Sequence, residues 1–156
     1  LSGDKPYCYL MNSDFSKFTH DMSDRYMKRC VAYGMYPGYF SPNAFSDSYF
    51  GNPDWYERDR ELFKRWVPLC KQVGEAGWEA ITNARVDRDK VYIERWGGDQ
   101  LTLFNDTGDT TDVTVTLLGD WPASCTDSVT GQAVEVTGGA LTLTLGHEDV
   151  AVLVFS

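Results

Sequence analysis

The sequence predicts an α/β part followed by an all-β part: the last βα units of a (β/α)8 barrel, then a small antiparallel β-sandwich. Three observations predict it. Up to about residue 90, short apolar runs alternate with stretches of helical spacing, whereas beyond it apolar residues alternate with Thr or charge at a period of two. Charge divides nearby: residues 1 to 98 hold 14 Lys or Arg against 14 Asp or Glu, and residues 99 to 156 hold none against nine. Aromatic residues divide there too, with 19 of 22 in residues 1 to 98. Coincident shifts of composition mark the edge of a folding unit, so the expected domains are 1–89 and 90–156.

KPYCYLMN (5–12) is an aromatic and apolar run bounded by Pro6 and by the turn-forming NSD, and it reads as a strand. Asp14 or Ser13 is placed to cap a helix whose apolar stripe, Phe18, Met22, Tyr26 and Cys30, recurs every four residues. Gly34 ends that helix. The next strand is expected over 35–40, and SPNAFSDSYFGNPD is a polar and aromatic loop. Asn52-Pro53 opens a second helix with Pro at its first position. Its buried face is Trp55, Leu62, Phe63, Trp66, Leu69, Cys70 and Val73, with a kink expected at Pro68 and a cap at Gly77. Strand, helix, strand, helix with short connections belongs in a parallel sheet or barrel. A closed barrel takes about 250 residues, so this segment supplies its last quarter. The chain is therefore expected to begin partway through a larger protein, and to be partnered by the N-terminal portion or by a second chain carrying the rest of the barrel.

KVYIERWG, QLTLFND, DVTVTLLG, QAVEV, ALTLTL and DVAVLVFS then read as short strands separated by Gly- and Asp-rich turns, the pattern of an antiparallel sandwich. DVAVLVFS is almost wholly apolar, which places it in a sheet centre and covered on both faces.

Several function classes are excluded or disfavoured. A segment without a basic residue is a poor partner for phosphate, so no nucleic acid is expected, and anionic membrane surfaces are disfavoured for the same reason. No apolar run reaches about 18 residues, so no membrane-spanning helix is expected. Cys8, Cys30, Cys70 and Cys125 form no CxxC pair and read as buried thiols rather than a zinc site. His20 and His147 are isolated, no nucleophile elbow or phosphate loop is present, and TGDTTD (107–112) lacks the calcium-loop spacing. No metal or other cofactor is expected. Asn105-Asp106-Thr107 is a formal glycosylation sequon of low specificity.

A barrel end, a linker strand and a small acidic β-domain resemble the C-terminal region of glycoside hydrolases of amylase- and α-galactosidase-like architecture. The resemblance is carried by KPYCYLMNSDF as a late barrel strand, RCVAYGMYPGYFS as the helix into the final strand, and LFKRWVPLCKQVGEAGWEAITNARV as the closing helix and crossover. VYIERWGGDQLTLFND and LTLTLGHEDVAVLVFS would open and close the β-domain. It implies a carbohydrate substrate and hydrolysis by two flanking carboxyl groups. Such groups sit at the C-terminal ends of barrel strands. Only Asp14 is so placed here, so the main pair is expected outside this chain.

Asp14 thus has two readings, a helix cap or a catalytic carboxylate. For substrate contact the resemblance points to aromatic and polar residues in and after the second strand: Tyr36, Tyr39, Asn43, Asp47 and Trp55. Flat rings stack on the C–H faces of pyranoses while polar groups hold hydroxyls. Tyr36 and Tyr39 fall three apart, so they face opposite sides of a regular strand, and Tyr39, nearer the C-terminal end, is the expected sugar contact. The competing reading of the same aromatic residues is packing between strand and helix. Two other functions fit the sequence: a non-catalytic carbohydrate-binding module, and a protein-interaction domain with an acidic face. Trp78 and Trp96 are expected to be buried where the two parts join.

Overall fold

The computed structural model describes residues 7–40 and 48–156. The first part is one strand-helix-strand unit and a long helix: β1 (Tyr7–Asn12), α1 (His20–Ala32), β2 (Met35–Phe40) and α2 (Pro53–Ala76). β1 and β2 pair in parallel, with Tyr7 opposite Met35 and Asn12 opposite Phe40. Between β1 and α1 the chain makes a 3-10 turn over Phe15–Lys17, and it is this turn that Asp14 caps. The cap of α1 is Thr19, whose hydroxyl accepts from the Met22 amide at 3.2 Å. The helix therefore starts later than the apolar stripe suggested, because Phe15 and Phe18 are buried by the turn itself. Met22, the second residue of that stripe, is exposed.

Gly34, at φ 59°, reverses the chain after α1 in a conformation that side chains resist. α2 runs unbroken through Pro68, where a kink was expected; the proline lies on its exposed side, where the one amide donor it lacks is not needed to bond a buried carbonyl. Gly77, at φ 83°, ends α2. No helix among the described residues is long and apolar enough to cross a membrane.

The second part has two sheets. Six strands run in the order β3 (Trp78–Glu79), β5 (Val91–Trp96), β6 (Gln100–Asn105), β11 (Val150–Phe155), β8 (Cys125–Asp127), β9 (Gln132–Val134), all antiparallel. Three run β10 (Ala140–Leu145), β7 (Thr111–Leu117), β4 (Ala84–Val86). β3 and β4, which composition grouped with the first part, pair with strands of the second, so sheet structure begins directly after Gly77. The fold is mixed α/β, rich in sheet, with both sheets open.

Three layers result: helices, six-stranded sheet, three-stranded sheet. The alternation of side chains along a strand divides the central layer between two cores. On β11, Val150 and Val152 join α1 and α2 in one apolar cluster, while Ala151, Leu153 and Phe155 join β7 and β10 in the other. β6 divides likewise, Phe104 to the helices and Leu101 and Leu103 to the facing sheet. DVAVLVFS is thus central and covered on both faces, as its composition required.

The joint between helices and sheet is built at Trp96. This residue is 6% exposed, and its ring lies so close to Gly34 that a Cβ there would fall 2.5 Å from Cζ3. Its Nε1–H donates to Thr102 Oγ1 at 2.9 Å, and Thr102 donates in turn to the Ala32 carbonyl at 2.7 Å, closing the C-terminal turn of α1 onto β6. Trp78, also expected at the joint, is instead 49% exposed, because β3 is a two-residue strand at the edge of its sheet. Of the cysteines, Cys30, Cys70 and Cys125 are buried as expected and Cys8 is exposed, on the strand face away from the helices.

Charge asymmetry finds part of its use at the same joint. The turn between β10 and β11 carries Glu148, which pairs with Arg25 at 2.8 Å and Arg29 at 3.0 Å, and Asp149, which pairs with Lys28 at 2.7 Å. These acidic groups of the basic-free segment clasp α1, so they are engaged within the chain rather than presented to a partner. Asn105, the sequon residue, is fully buried, and its amide donates to the Asp109, Leu145 and Gly146 carbonyls at 2.8 to 3.0 Å. A side chain so engaged is closed to glycosylation.

Candidate functional site

Parallel pairing brings the C-terminal ends of β1 and β2 together, and the Ser13 amide bonds the Phe40 carbonyl across them at 3.1 Å. The loops that leave these ends lead into the N-termini of α1 and α2, so one end of the unit collects the residues of interest. Asp14 stands there with its carboxylate more than half exposed. It accepts from Ser16 Oγ at 2.5 Å and the Ser16 amide at 3.1 Å, and pairs with Lys17 at 3.1 Å. The Ser16 hydroxyl, then Lys17, hold its carboxyl below the usual range. The cap and the exposed carboxylate are therefore the same group.

Tyr39 lies on the helix side of β2. Its ring stacks on Tyr49 at 4.2 Å between centroids and meets Phe15, Tyr26 and Phe63 at 5.4 to 5.5 Å. Burial pushes its phenol pKa up. Trp55 joins the same cluster through Phe15, at 6.3 Å. Tyr36 is half-buried near the other end of β2, opposite Cys8. The structure brings Tyr39 and Trp55 together in packing, then, and sets Asp14 and Tyr36 apart from them. Asn43 and Asp47 lie outside the described residues. On the face of β1 and β2 away from the helices, Cys8, Leu10 and Phe40 are exposed, and a Cβ on Gly38 would collide with the Cys8 thiol.

Behind the aromatic cluster lies a group that the sequence did not single out. Asp59, in the second turn of α2, is fully buried. It accepts from Ser23 Oγ at 2.7 Å, Tyr49 Oη at 2.9 Å, and Arg58 Nε and Nη2 at 2.8 Å each, and its Oδ1 lies 3.0 Å from His20 Nδ1. Burial alone would raise its pKa, but the hydrogen bonds from Arg58, Ser23, Tyr49 and His20 outweigh it and hold the carboxyl at about 2. His20 looked isolated in the sequence because its partner is 39 residues away. The only local signal for Asp59 was a carboxylate on a helix, not among the residues of its apolar stripe, and a period count cannot tell such a residue from a surface one. Among the described residues no group of three or more His, Cys, Asp or Glu is placed to hold a metal ion.

A carboxylate whose folded pKa lies below its ordinary 3.8 contributes stability that is complete above that value and is lost as pH falls toward 2. Glu148 adds in the same direction: burial would raise its pKa, but the Arg25 hydrogen bond and the charges of Arg25 and Arg29 hold it below the ordinary value. Urea midpoints should be flat from pH 7 to about 5 and then fall, the Asp59 share amounting to about 2 kcal/mol. An Asp59→Asn chain should show a shallower fall over the same range. An equal fall in both chains would mean that Asp59 titrates alike folded and unfolded.

No family model and no curated protein matches the sequence. Solved structures do match in fold. AmyP E221Q in complex with maltotriose superposes with a TM-score of 0.58 at 13% identity, over 88% of this chain and 35% of that one. A maltogenic α-amylase, AmyB from Thermotoga neapolitana, gives 0.55 at 17% identity over 85% and 36%. A GH27 β-L-arabinopyranosidase from Geobacillus stearothermophilus gives 0.52 at 17% identity over 90% and 31%. The chain spans about a third of the length of these proteins, and what it shares with them is the fold of that third, which in each case belongs to a glycoside hydrolase or a protein solved with a malto-oligosaccharide.

Proposed function

We propose that this chain is the C-terminal portion of a glycoside hydrolase, in which β1 and β2 are the closing strands of a (β/α)8 barrel and the two-sheet part is its C-terminal β-domain. The observation that carries this reading is the state of the parallel pair. Parallel sheets are covered on both faces and have more than two strands. Here α1 and α2 cover one face only, Leu10 (60% exposed) and Phe40 (42%) face outward on the other, and both outer strand edges lack a partner among the described residues. Six further strands would cover that face and pair those edges. In the completed barrel Asp14 would stand at the mouth, and its lowered pKa fits the charged member of a carboxyl pair rather than the proton donor. The catalytic pair would come largely from the missing strands. Sugar contacts would come from the loop after β2, Asn43 and Asp47 included, with Tyr39 and Trp55 packed beneath it, whereas Tyr36, near the other end of β2, would stand away from them.

Native mass spectrometry of the protein purified from its source tests this. A species well above the mass of the 156-residue chain is expected, either one polypeptide or a complex, and it should cleave aryl glycosides that the chain alone leaves intact. A stable monomer of this chain, with β1 and β2 amides strongly protected from exchange, would overturn the reading.

A further inference from the structure

The helix-side face of the six-stranded sheet is only partly covered. α1 and α2 bury Val150 and Val152, Phe104 lies beneath the Arg29 guanidinium at 5.1 Å, and Trp96 is sealed against Gly34. Along β5 the same face continues from Trp96 through Glu94 to Tyr92, since alternate residues of a strand share a face. The register sets Trp78 of β3 directly opposite Trp96, so its side chain emerges on this face too. Tyr92 is 46% exposed and Trp78 49%, side by side with Glu94 on one face of the sheet. Exposed rings aligned in this way call for an occupant.

Between the two rings stands Glu94. Its Oε2 accepts the Trp78 indole N–H at 2.8 Å, which fixes the plane of the ring, and its second oxygen takes no hydrogen bond among the described residues. No cation pairs with it there either. Ring, carboxylate, ring thus follow one another from β3 onto β5, a span of about 13 Å along the strand direction.

We propose that Trp78, Glu94 and Tyr92 form a binding site for a neutral oligosaccharide, separate from any site at the ends of β1 and β2. The C–H faces of pyranose rings match Trp78 and Tyr92, and sugar hydroxyls supply the donors that the free oxygen of Glu94 lacks. An apolar protein face laid on the same strip would bury that carboxylate without a donor, which is costly, whereas a sugar keeps it hydrogen-bonded at a wet surface. The unpaired carboxylate likewise selects against sugars bearing acid groups. The site needs no completed barrel and stands whether or not the chain belongs to a hydrolase.

The test is titration of the chain with maltotriose, xylotriose, cellotriose and trigalacturonate, followed by amide shift perturbation and tryptophan fluorescence. At least one neutral trimer should perturb amides clustered at 78, 92 and 94 and quench fluorescence, with trigalacturonate weaker by about tenfold or more. Trp78→Ala and Tyr92→Ala should each weaken binding by about tenfold with circular dichroism unchanged. Glu94→Gln, which keeps the shape, should reduce the discrimination against trigalacturonate, so the result does not hang on the alanine variants folding. No perturbation by any neutral trimer at millimolar concentration, or perturbation confined to other residues, overturns the site. So does shielding of Trp78 from acrylamide in the longest natural form of the protein, which would make the strip a protein contact.

Discussion

Asp59→Ala should destabilise the chain by about 3 to 5 kcal/mol, the range for removing one member of a buried charged network. Two of the groups left behind, the Ser23 and Tyr49 hydroxyls, are themselves buried and would lose the acceptor at 2.7 and 2.9 Å that satisfies them. Arg58, whose guanidinium holds Asp59 at two points and reaches the Phe18 carbonyl at 2.7 Å, would be left with an unpaired charge against the helix. The penalty is local to three elements: the start of α1, the turn carrying Tyr49, and α2. Chemical denaturation measures it, and hydrogen exchange should show the amides of 48–52 opening first. A cost below about 1 kcal/mol would show that water replaces the carboxylate without loss. Asp59→Asn should cost less, because an amide oxygen can still accept from Ser23 or Tyr49.

The second large effect is expected at Trp96. Trp96→Ala should cost about 3 to 5 kcal/mol through lost burial and the cavity it leaves. It also deprives Thr102 of the indole N–H and loosens the Thr102 contact with the end of α1. The reciprocal change, Gly34→Ala, attacks the same joint from the other side: its Cβ would sit 2.5 Å from the Trp96 ring, on a backbone at φ 59°. In the double variant the cavity left by Trp96→Ala receives the new methyl, so the two costs should fall short of additive. Comparing the four chains by urea unfolding measures the shortfall, and full additivity would mean that ring and glycine do not touch in solution.

How far the sequence foretold the structure follows from the range of the interactions involved. Both parallel strands, both helices and the central place of DVAVLVFS were legible, because each rests on a local period or a local run of apolar residues. The cap of α1 was misplaced because Asp14 and Thr19 are both good caps, and only the burial of Phe15 and Phe18 decides that a turn intervenes. The boundary near 90 came from charge and aromatic content, yet β3 and β4 carry the composition of the first part and the pairing of the second. Trp78 was expected inside because tryptophan usually is; that β3 lies at a sheet edge depends on strand order, which no period reveals. His20 and Asp59 were missed for a different reason: their meeting is a product of helix packing across 39 residues. At the candidate site, Asp14 could be located from its place after a strand, whereas the helix-side packing of Tyr39 depends on register and on the ring of Tyr26.

β11 sits between β6 and β8 and gives Val150 and Val152 to the helices and Leu153 and Phe155 to the facing sheet. Neither core can therefore close before this strand docks, although it follows every other described element in the chain. During synthesis the earlier strands and helices must wait with their apolar faces open, a condition that invites chaperone binding. Once β11 is in place the same dependence works in reverse. The helical part and the sheets cannot melt separately without pulling one strand from two cores at once, so heating should give a single transition in which circular dichroism at helix and sheet wavelengths changes together.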